Sequence, residues 1–265
     1  MTVNLPTSCP TPRTSAAARL EVALPEPGQT LSQDTEWCVV RVGEEWRQIR
    51  FHDYSQLFSV PGLYEKVIYD ILKCCSPRRV CRLLAGELAA AGQSAETLRV
   101  LDVGAGNGMV GAELAELGVG LLVGVDIIPE AARAAERDYP GTYHDYLVLD
   151  LGRLDERRQR ELGARRFNCL ACVAALGFGD IPTQAFVNAF NLVEQDGWVA
   201  FNIKEEFLEQ DDLSGFALLV HSMVERGVLE ITRRVRYPHR LATSRDPIHY
   251  VALVGRKRRD LPDPS

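Results

Sequence analysis

The stretch Val100-Leu101-Asp102-Val103-Gly104-Ala105-Gly106-Asn107-Gly108 decides the fold. Its first four residues have the apolar pattern of a buried strand, and a helical pattern begins directly after the last glycine. The glycines let the backbone turn sharply and approach a ligand closely, while the first turn of the helix offers N–H groups without intrahelical partners. The stretch therefore predicts a nucleotide-like ligand at a strand–loop–helix junction.

Two further predicted strands also end at a carboxylate. The next strand ends in Asp126, about 20 residues after the loop, where a carboxylate can accept both hydroxyls of a ribose. Ile127 offers an apolar wall for an adenine ring, and Asp150 follows the third strand, where it can accept from an adenine amino group. We expect Asp102, Asp126 and Asp150 at the carboxyl edge of one parallel sheet, where open α/β folds bind ligands.

Strand and helix patterns alternate from residue 98 to residue 201, which is typical of a parallel sheet covered by helices on both faces. Right-handed connections then make the sheet doubly wound. After a helix near 213–226, two longer strands joined by a loop of about ten residues can pair antiparallel. The predicted strands are Leu98–Val103, Leu121–Asp126, Tyr146–Leu149, Phe167–Ala174, Trp198–Ile203, Val228–Tyr237 and Ile248–Arg256, with helices near 107–117, 129–138, 153–162 and 183–195.

Residues 102–108 match the pattern Asp-x-Gly-x-Gly-x-Gly and so resemble the first motif of the class I S-adenosylmethionine-dependent methyltransferases. The resemblance covers about residues 60–256, and it is closest to the small-molecule type. It implies an α/β, doubly wound, mostly parallel seven-stranded sheet (a Rossmann-like methyltransferase fold) with an antiparallel C-terminal strand and an N-terminal extension. It also implies S-adenosyl-L-methionine as cofactor and S-adenosyl-L-homocysteine as product. The implied cofactor contacts are Asp102, Gly104, Ala105, Gly106, Asp126, Ile127, Asp150, Leu151 and Val173.

Three regions follow from these patterns. Residues 1–34 are rich in Pro, Ser and Thr and predict a flexible tail. Residues 35–92 predict a hairpin at 37–50 and helices that cap the active site, with Ser76 as the cap of a helix that has Pro77 in its first turn. Residues 93–259 form the predicted cofactor-binding core.

Aromatic and titratable side chains are dense just before the first long helical pattern. Tyr54 and Tyr64 are candidates for a roof over the cofactor, because an aromatic face attracts a cationic sulfonium. His52 is a candidate for removing a proton from the acceptor. The alternative is that these rings only pack the N-terminal extension onto the core.

The loop after the fourth core strand supplies the other candidates for acceptor chemistry. Phe178 can stack on a planar substrate and Asp180 can accept a proton, although Asp180 could instead cap the next helix. Glu205, after the fifth strand, is a second candidate for substrate contact. Residues 143–146 precede the third strand, at the edge opposite the chemistry, and are interpreted as a surface turn.

Three other functions remain open at this point. Residues 106–111 also satisfy G-x-G-x-x-G, the motif of nicotinamide oxidoreductases, but the third glycine would lie inside the helix and the antiparallel ending favours methyl transfer. The domain could also bind the cofactor without methyl transfer, as a cyclase or regulatory module. Methylation of protein or RNA is disfavoured by the acidic charge and the lack of an appended recognition domain.

Composition and charge exclude several classes of binding partner. The 265 residues carry a net charge of -6, which disfavours nucleic acid because the overall field repels polyanions. No apolar run reaches the roughly 18 residues of a membrane span, and no secretory signal pattern is present, so we expect a cytoplasmic protein without a membrane partner. Cys169 and Cys172 lie in an apolar strand, which argues against a metal site. We expect a monomer or homodimer that acts on a small molecule in natural product biosynthesis.

Overall fold

Two sheets organise this computed structural model, which describes residues 20–26, 31–208 and 215–262. The larger sheet has seven strands in the order β6-β5-β4-β7-β8-β10-β9. Pairing is parallel from β6 to β8, and β10 pairs antiparallel with both β8 and β9. This confirms the predicted fold class. The strands are β4 (Arg99–Val103), β5 (Leu121–Asp126), β6 (Asp145–Val148), β7 (Phe167–Leu176), β8 (Val193–Lys204), β9 (Leu229–Leu241) and β10 (Pro247–Lys257).

Helices cover both faces of the seven-stranded sheet. Neighbouring residues of a strand point to opposite faces, so Val100 and Leu101 of β4 enter different cores. Val100 packs with α2 and α3, whereas Leu101 shares its core with α6 and α7. The α-helices of the described chain are α1 (Tyr54–Ser59), α2 (Ser76–Ala90), α3 (Met109–Glu116), α4 (Pro129–Asp138), α5 (Glu156–Gly163), α6 (Thr183–Asn191) and α7 (Phe216–Glu225).

The N-terminal region has its own core. The small antiparallel sheet consists of β1 (Val22–Ala23), β2 (Trp37–Val42) and β3 (Glu45–Arg50), which include the predicted hairpin. Its buried residues, such as Cys38 and Ile49, pack with α1 and with the π-helical segment Glu65–Ile71. A hydrophobic contact between Phe58 and α4 joins this region to the larger domain. The cap therefore rests directly on the core.

One of the helices predicted within residues 35–92 is a π-helix rather than an α-helix, over Glu65–Ile71. In a π-helix each N–H bonds five residues back, as Leu72 N does to Val67 O over 2.9 Å. This wider turn brings Tyr64 and Tyr69, five residues apart, to within 5.9 Å between ring centroids. Both rings consequently face the same side of the cap.

Several local predictions need correction or lie outside the described chain. The loop between β9 and β10 spans only 242–246, because both strands pair further than their apolar cores suggest. Ser76 is the first residue of α2 rather than its cap, and its side chain gives the helix no cap bond. Of the predicted tail 1–34, residues 1–19 and 27–30 lie outside the described residues, whereas Val22–Ala23 and Gln33–Thr35 form a strand and a 3-10 helix. No helix among the described residues is long and apolar enough to cross a bilayer.

Candidate active site

A cavity of about 300 Å³ lies where the carboxyl ends of β4, β5 and β7 meet the N-terminal cap. It brings together most of the residues that the sequence singled out. Those lining it are His52, Tyr54, Tyr64, Gly104, Ala105, Gly106, Asp126, Ile127, Asp150, Leu151, Val173 and Asp180.

The glycine loop forms the floor of this cavity. The N–H groups of Gly104 and Ala105 both donate to Val125 O, which turns the loop back over β5. Gly104 has a φ of +67°, and a Cβ there would lie 2.8 Å from Ala175 Cβ. Only glycine fits this position without displacing a neighbour. The backbone is thus exposed to a ligand at close range.

Asp126 lies at the end of β5 with both carboxylate oxygens engaged by backbone. Oδ2 accepts from Gly106 N at 2.9 Å, and Oδ1 accepts from Ile128 N at 3.0 Å. Burial raises the pKa of Asp126, although these backbone bonds act in the opposite direction. Each oxygen retains a lone pair, so the carboxylate can still accept from two hydroxyl groups. Ile127, beside it, is 58% exposed at the rim of the cavity.

Asp150 and Leu151 follow β6 on the same edge. Asp150 Oδ1 accepts from Gly152 N at 2.8 Å and so begins a short 3-10 helix over Leu151–Arg153. The second carboxylate oxygen lies 3.8 Å from Arg153 Nε on the exposed side. Leu151 is buried and lines the cavity, which leaves a carboxylate and an apolar contact side by side.

His52 and Asp180 meet at the wall of the cavity. The His52 Nδ1 atom lies 3.2 Å from Asp180 Oδ2, and the Tyr54 hydroxyl donates to the same oxygen at 3.4 Å. Asp180 does not cap the following helix, since α6 begins at Thr183 after Pro182 with no side-chain cap. The two predicted catalytic candidates are therefore in contact.

A smaller chamber of about 40 Å³ lies on the other side of this pair. Phe178 lines it and packs edge-on against His52, with 5.1 Å between ring centroids. Glu205 lies outside both spaces, on the outer surface of the sheet, where it forms an ion pair with Arg236 at 2.7 Å. The structure thus gives no support to the predicted substrate contact of Glu205.

Comparison with known proteins agrees with this geometry. Residues 101–201 match a family described as a methyltransferase domain. That stretch contains the glycine loop, Asp126 and Asp150. The chain carries a methyltransferase domain over these residues. The glycine floor and the carboxylates of Asp126 and Asp150 fit the backbone approach and the hydroxyl groups of S-adenosylmethionine, the cofactor expected from the sequence.

The methyltransferase domain also resembles solved structures in fold. One is the N-methyltransferase NodS from Bradyrhizobium japonicum WM9 in complex with S-adenosyl-L-homocysteine, at 13% identity and a TM-score of 0.53, covering 78% of this chain and 97% of that chain. Another is a candidate RNA methyltransferase from Pyrococcus horikoshii, also at 13% identity and a TM-score of 0.53, covering 78% and 98%. At such identities the likeness shows the fold. No curated protein matches the chain by sequence.

Asp102, the first residue of the methyltransferase motif, does not line the cavity. Its side chain is fully buried, and Oδ2 accepts from the Tyr143 hydroxyl at 2.8 Å. Oδ1 has no hydrogen-bond partner in the described chain. Burial raises the pKa of Asp102 to about 7. The expectation that Asp102 lies at the open edge with Asp126 and Asp150 is therefore wrong, because its side chain points into the interior beneath the loop.

The prediction that residues 143–146 form a surface turn away from the chemistry is also wrong. Tyr146 donates its hydroxyl to Gly106 O at 2.7 Å, and Tyr143 and Tyr146 pack edge-on at 5.2 Å. These two rings reach under the glycine loop from the neighbouring strand, since Gly124 of β5 leaves room for them. They support the loop of the methyltransferase from below.

A buried polar network holds the end of β7 in place. Ala174 lines the cavity with a φ of +58°, and its N–H donates to Asn202 Oδ1 at 2.6 Å. The Asn202 amide nitrogen donates to Ser76 Oγ at 3.0 Å and to the Tyr237 hydroxyl at 2.6 Å. Ser76 Oγ also lies 2.5 Å from His239 Nδ1. The irregular part of β7, between Cys172 and Leu176, is thereby fixed to α2 and β9.

Phe58 and Asn107 are two of the cavity residues that were not among the predicted site residues. Phe58 lies four residues after Tyr54 in α1, and its ring edge would be 3.3 Å from a Cβ on Gly106. Its helical spacing from Tyr54 is the sequence signal that could have identified it. Asn107 lines the cavity and donates to the buried Glu65 at 2.5 Å. That partner lies on the π-helix, so no pattern within the motif could reveal it.

Proposed function

We propose that the methyltransferase transfers the methyl group of S-adenosylmethionine to a small-molecule acceptor by in-line displacement, with His52 as the general base. The contact of His52 Nδ1 with Asp180 Oδ2 at 3.2 Å, on the cavity wall, carries this proposal. When bound, the cofactor supplies a methyl group already activated on a sulfonium. The protein then has only to align the acceptor and remove its proton.

The individual roles follow from the positions of the side chains. In this proposal, Asp126 accepts from the ribose hydroxyls, and Ile127 and Leu151 pack on adenine beside Asp150. Gly104, Ala105, Gly106 and Val173 hold the methionine part. Tyr54 and Tyr64 place aromatic faces above the sulfonium, which favours the cation. Asp102 does not contact the cofactor in this proposal, and it supports the glycine loop through its hydrogen bond with Tyr143.

Asp180 determines which nitrogen of His52 acts as base. When Nδ1 carries the proton and donates to the carboxylate, Nε2 is left as the acceptor for a proton from the substrate. The carboxylate also stabilises the imidazolium that results. The Tyr54 hydroxyl on the same carboxylate keeps Asp180 oriented.

A small acceptor fits the surroundings better than a macromolecule. The cap covers the cavity with Tyr54, Phe58 and Tyr64, so the reacting groups lie beneath packed aromatic rings. The net charge of -6 disfavours nucleic acid. Both observations support the small-molecule reading over methylation of protein or RNA.

Calorimetric titration with S-adenosylhomocysteine, followed by transfer of labelled methyl into the small-molecule fraction of an extract, tests the proposal. The wild type should bind and transfer, whereas His52→Gln and Asp180→Asn should bind normally and transfer roughly 100-fold more slowly. Binding without transfer by the wild type would instead identify a cofactor-binding module. Unchanged rates in both variants would remove His52 and Asp180 from the chemistry.

A further inference from the structure

The 40 Å³ chamber behind His52 and Asp180 shares part of its wall with the cofactor cavity. His52, Tyr54, Tyr64 and Asp180 line both spaces. Ala174 also belongs to both linings, so the two spaces are adjacent at this shared wall. The far wall is formed by Gln33, Phe51, His239, Arg240 and Tyr250.

The guanidinium of Arg240 on this wall is already paired with a carboxylate. Arg240 Nη2 lies 2.5 Å from Glu36 Oε2, and the two side chains are 5% and 0% exposed. Glu36 Oε1 also accepts from Thr243 N. Because a buried ion pair with these contacts has little charge left to offer, Arg240 is a poor partner for an anionic ligand.

His239 adds no positive charge to the chamber. Burial lowers its pKa well below the ordinary range, so its ring is neutral. The buried network holds this neutral ring, because Ser76 Oγ lies 2.5 Å from His239 Nδ1 and accepts from the Asn202 amide at 3.0 Å. Asp180 remains as the carboxylate of the chamber that has no guanidinium or ammonium partner among the described residues.

The side-chain amide of Gln33 adds a second acceptor to the chamber. Gln33 Nε2 donates to the Tyr250 hydroxyl at 3.0 Å, while its buried Oε1 has no donor among the described residues. Aromatic rings, including Phe178 and Tyr54, make up much of the rest of the wall. A carbonyl oxygen, a carboxylate and aromatic faces together favour a ligand that is cationic and rich in N–H donors.

The chamber is small. About 40 Å³ holds roughly three water molecules at 10–15 Å³ each, which leaves room for a head group but not for a whole ring. We propose that this chamber is the acceptor pocket and receives the head group of a small primary or secondary amine. The inference rests on the proposed function and specifies its substrate class.

The reaction then balances at the residues already described. The amine binds as its ammonium ion and gives one proton to His52 Nε2, where Asp180 stabilises the imidazolium. The lone pair of the resulting free amine forms the new N–C bond to the methyl group, while the C–S bond breaks and its electron pair stays on sulfur. The product leaves as the methylated ammonium ion, and solvent takes the proton from His52.

Three probes of nearly equal size distinguish the acceptor classes: n-propylamine, n-propanol and propionate. Each is titrated by calorimetry into the protein saturated with S-adenosylhomocysteine, and methyl transfer to each is measured with labelled S-adenosylmethionine. We expect propylamine to bind roughly tenfold more tightly than either of the others, and to be the probe that is methylated. Gln33→Leu should weaken propylamine binding by a similar factor, while Gln48→Leu, the same change on the exposed face of β3, should not.

The outcomes separate this inference from the proposed function. If S-adenosylhomocysteine does not bind the wild type, the proposed function itself fails. If it binds but propanol or propionate binds as tightly as propylamine, the amine assignment is overturned while methyl transfer stands. The same holds if Gln33→Leu leaves propylamine binding unchanged with normal S-adenosylhomocysteine affinity, or if propylamine does not bind up to about 100 mM.

Discussion

Ala174 N–H donates to Asn202 Oδ1 over 2.6 Å, and this bond replaces a ladder bond where β7 departs from regular pairing. The φ of Ala174 is +58°, a region that costs an L-residue roughly 1–2 kcal/mol. The surrounding contacts must therefore hold it there. Asn202 does so from the neighbouring strand, with its amide nitrogen anchored on Ser76 and Tyr237.

Replacement of Asn202 by the similarly shaped leucine should be strongly destabilising. The change leaves Ala174 N–H and the hydroxyls of Ser76 and Tyr237 short of partners in a buried site, so we expect a loss of about 3–5 kcal/mol in the free energy of unfolding. Urea denaturation measures it. Gln195→Leu, at an exposed position of the same strand, serves as control. Equal stabilities of the two variants would mean that the network does not hold β7.

Gly104→Ala tests whether the close packing of the glycine loop against its neighbours requires a residue without a side chain. A Cβ at this residue meets Ala175 Cβ at 2.8 Å and Ile181 Cδ1 at 3.0 Å, in addition to the strain of a positive φ. Gly141→Ala has the same strain, with a φ of +69°, but meets nothing within 4 Å. We expect Gly141→Ala to cost about 1 kcal/mol and Gly104→Ala about 2–4 kcal/mol of unfolding free energy. Gly104→Ala alone should also weaken S-adenosylhomocysteine binding in calorimetry.

Asp126→Ala should remove most of the affinity for the cofactor. The variant loses two hydrogen bonds from the ribose hydroxyls to a charged acceptor, and the Gly106 and Ile128 N–H groups lose their partner. We therefore expect the affinity for the cofactor to decrease roughly 100-fold or more. Calorimetry with S-adenosylhomocysteine gives the dissociation constant. Glu156→Ala, on the exposed face of α5, should change nothing. Wild-type affinity in Asp126→Ala would contradict the ribose assignment.

The buried Asp102 predicts a defined pH dependence of stability. Its pKa rises from the ordinary 3.8 to about 7 on folding, mainly through burial, so the folded state favours the protonated carboxyl. The stabilising contribution is fully present below pH 3.8 and is lost as the pH rises through about 7. Asp102→Asn cannot lose a proton and keeps an acceptor for Tyr143. Relative to wild type, its unfolding free energy should therefore increase between about pH 5 and pH 8, which urea denaturation at both values measures. A difference that does not change with pH would show that Asp102 does not titrate in this window.

The sequence predicted elements best where local signals agree. The bounds of α4 were predicted correctly because Pro129 suits the first turn, and those of β5 because its apolar run ends at Asp126. The glycine loop was predicted equally well. The residues by which β7, β8 and β9 extend beyond their predicted bounds were not predicted, because pairing with neighbouring strands stabilises them rather than their own sequence pattern.

The contacts within the site could not be predicted from the sequence without the fold. His52 and Asp180 were each selected for their chemistry, but their contact spans 128 residues of sequence. Tyr143 looked like part of a polar turn because its neighbours His144 and Asp145 are polar, yet its ring enters the space left by Gly124. Asp102 was expected at the open edge because it precedes the loop. Strand alternation turned its side chain inward instead.

The ion pair joins Glu36, just before β2, to Arg240 on β9, 204 residues later in the sequence. A ribosome therefore delivers the acidic partner long before the basic partner. Until β9 emerges, Glu36 lacks the guanidinium that compensates it in the folded structure and cannot be buried at low cost. We therefore expect the N-terminal sheet to complete its packing only after β9 and β10 have been synthesised, although it is the first part of the described chain to leave the ribosome.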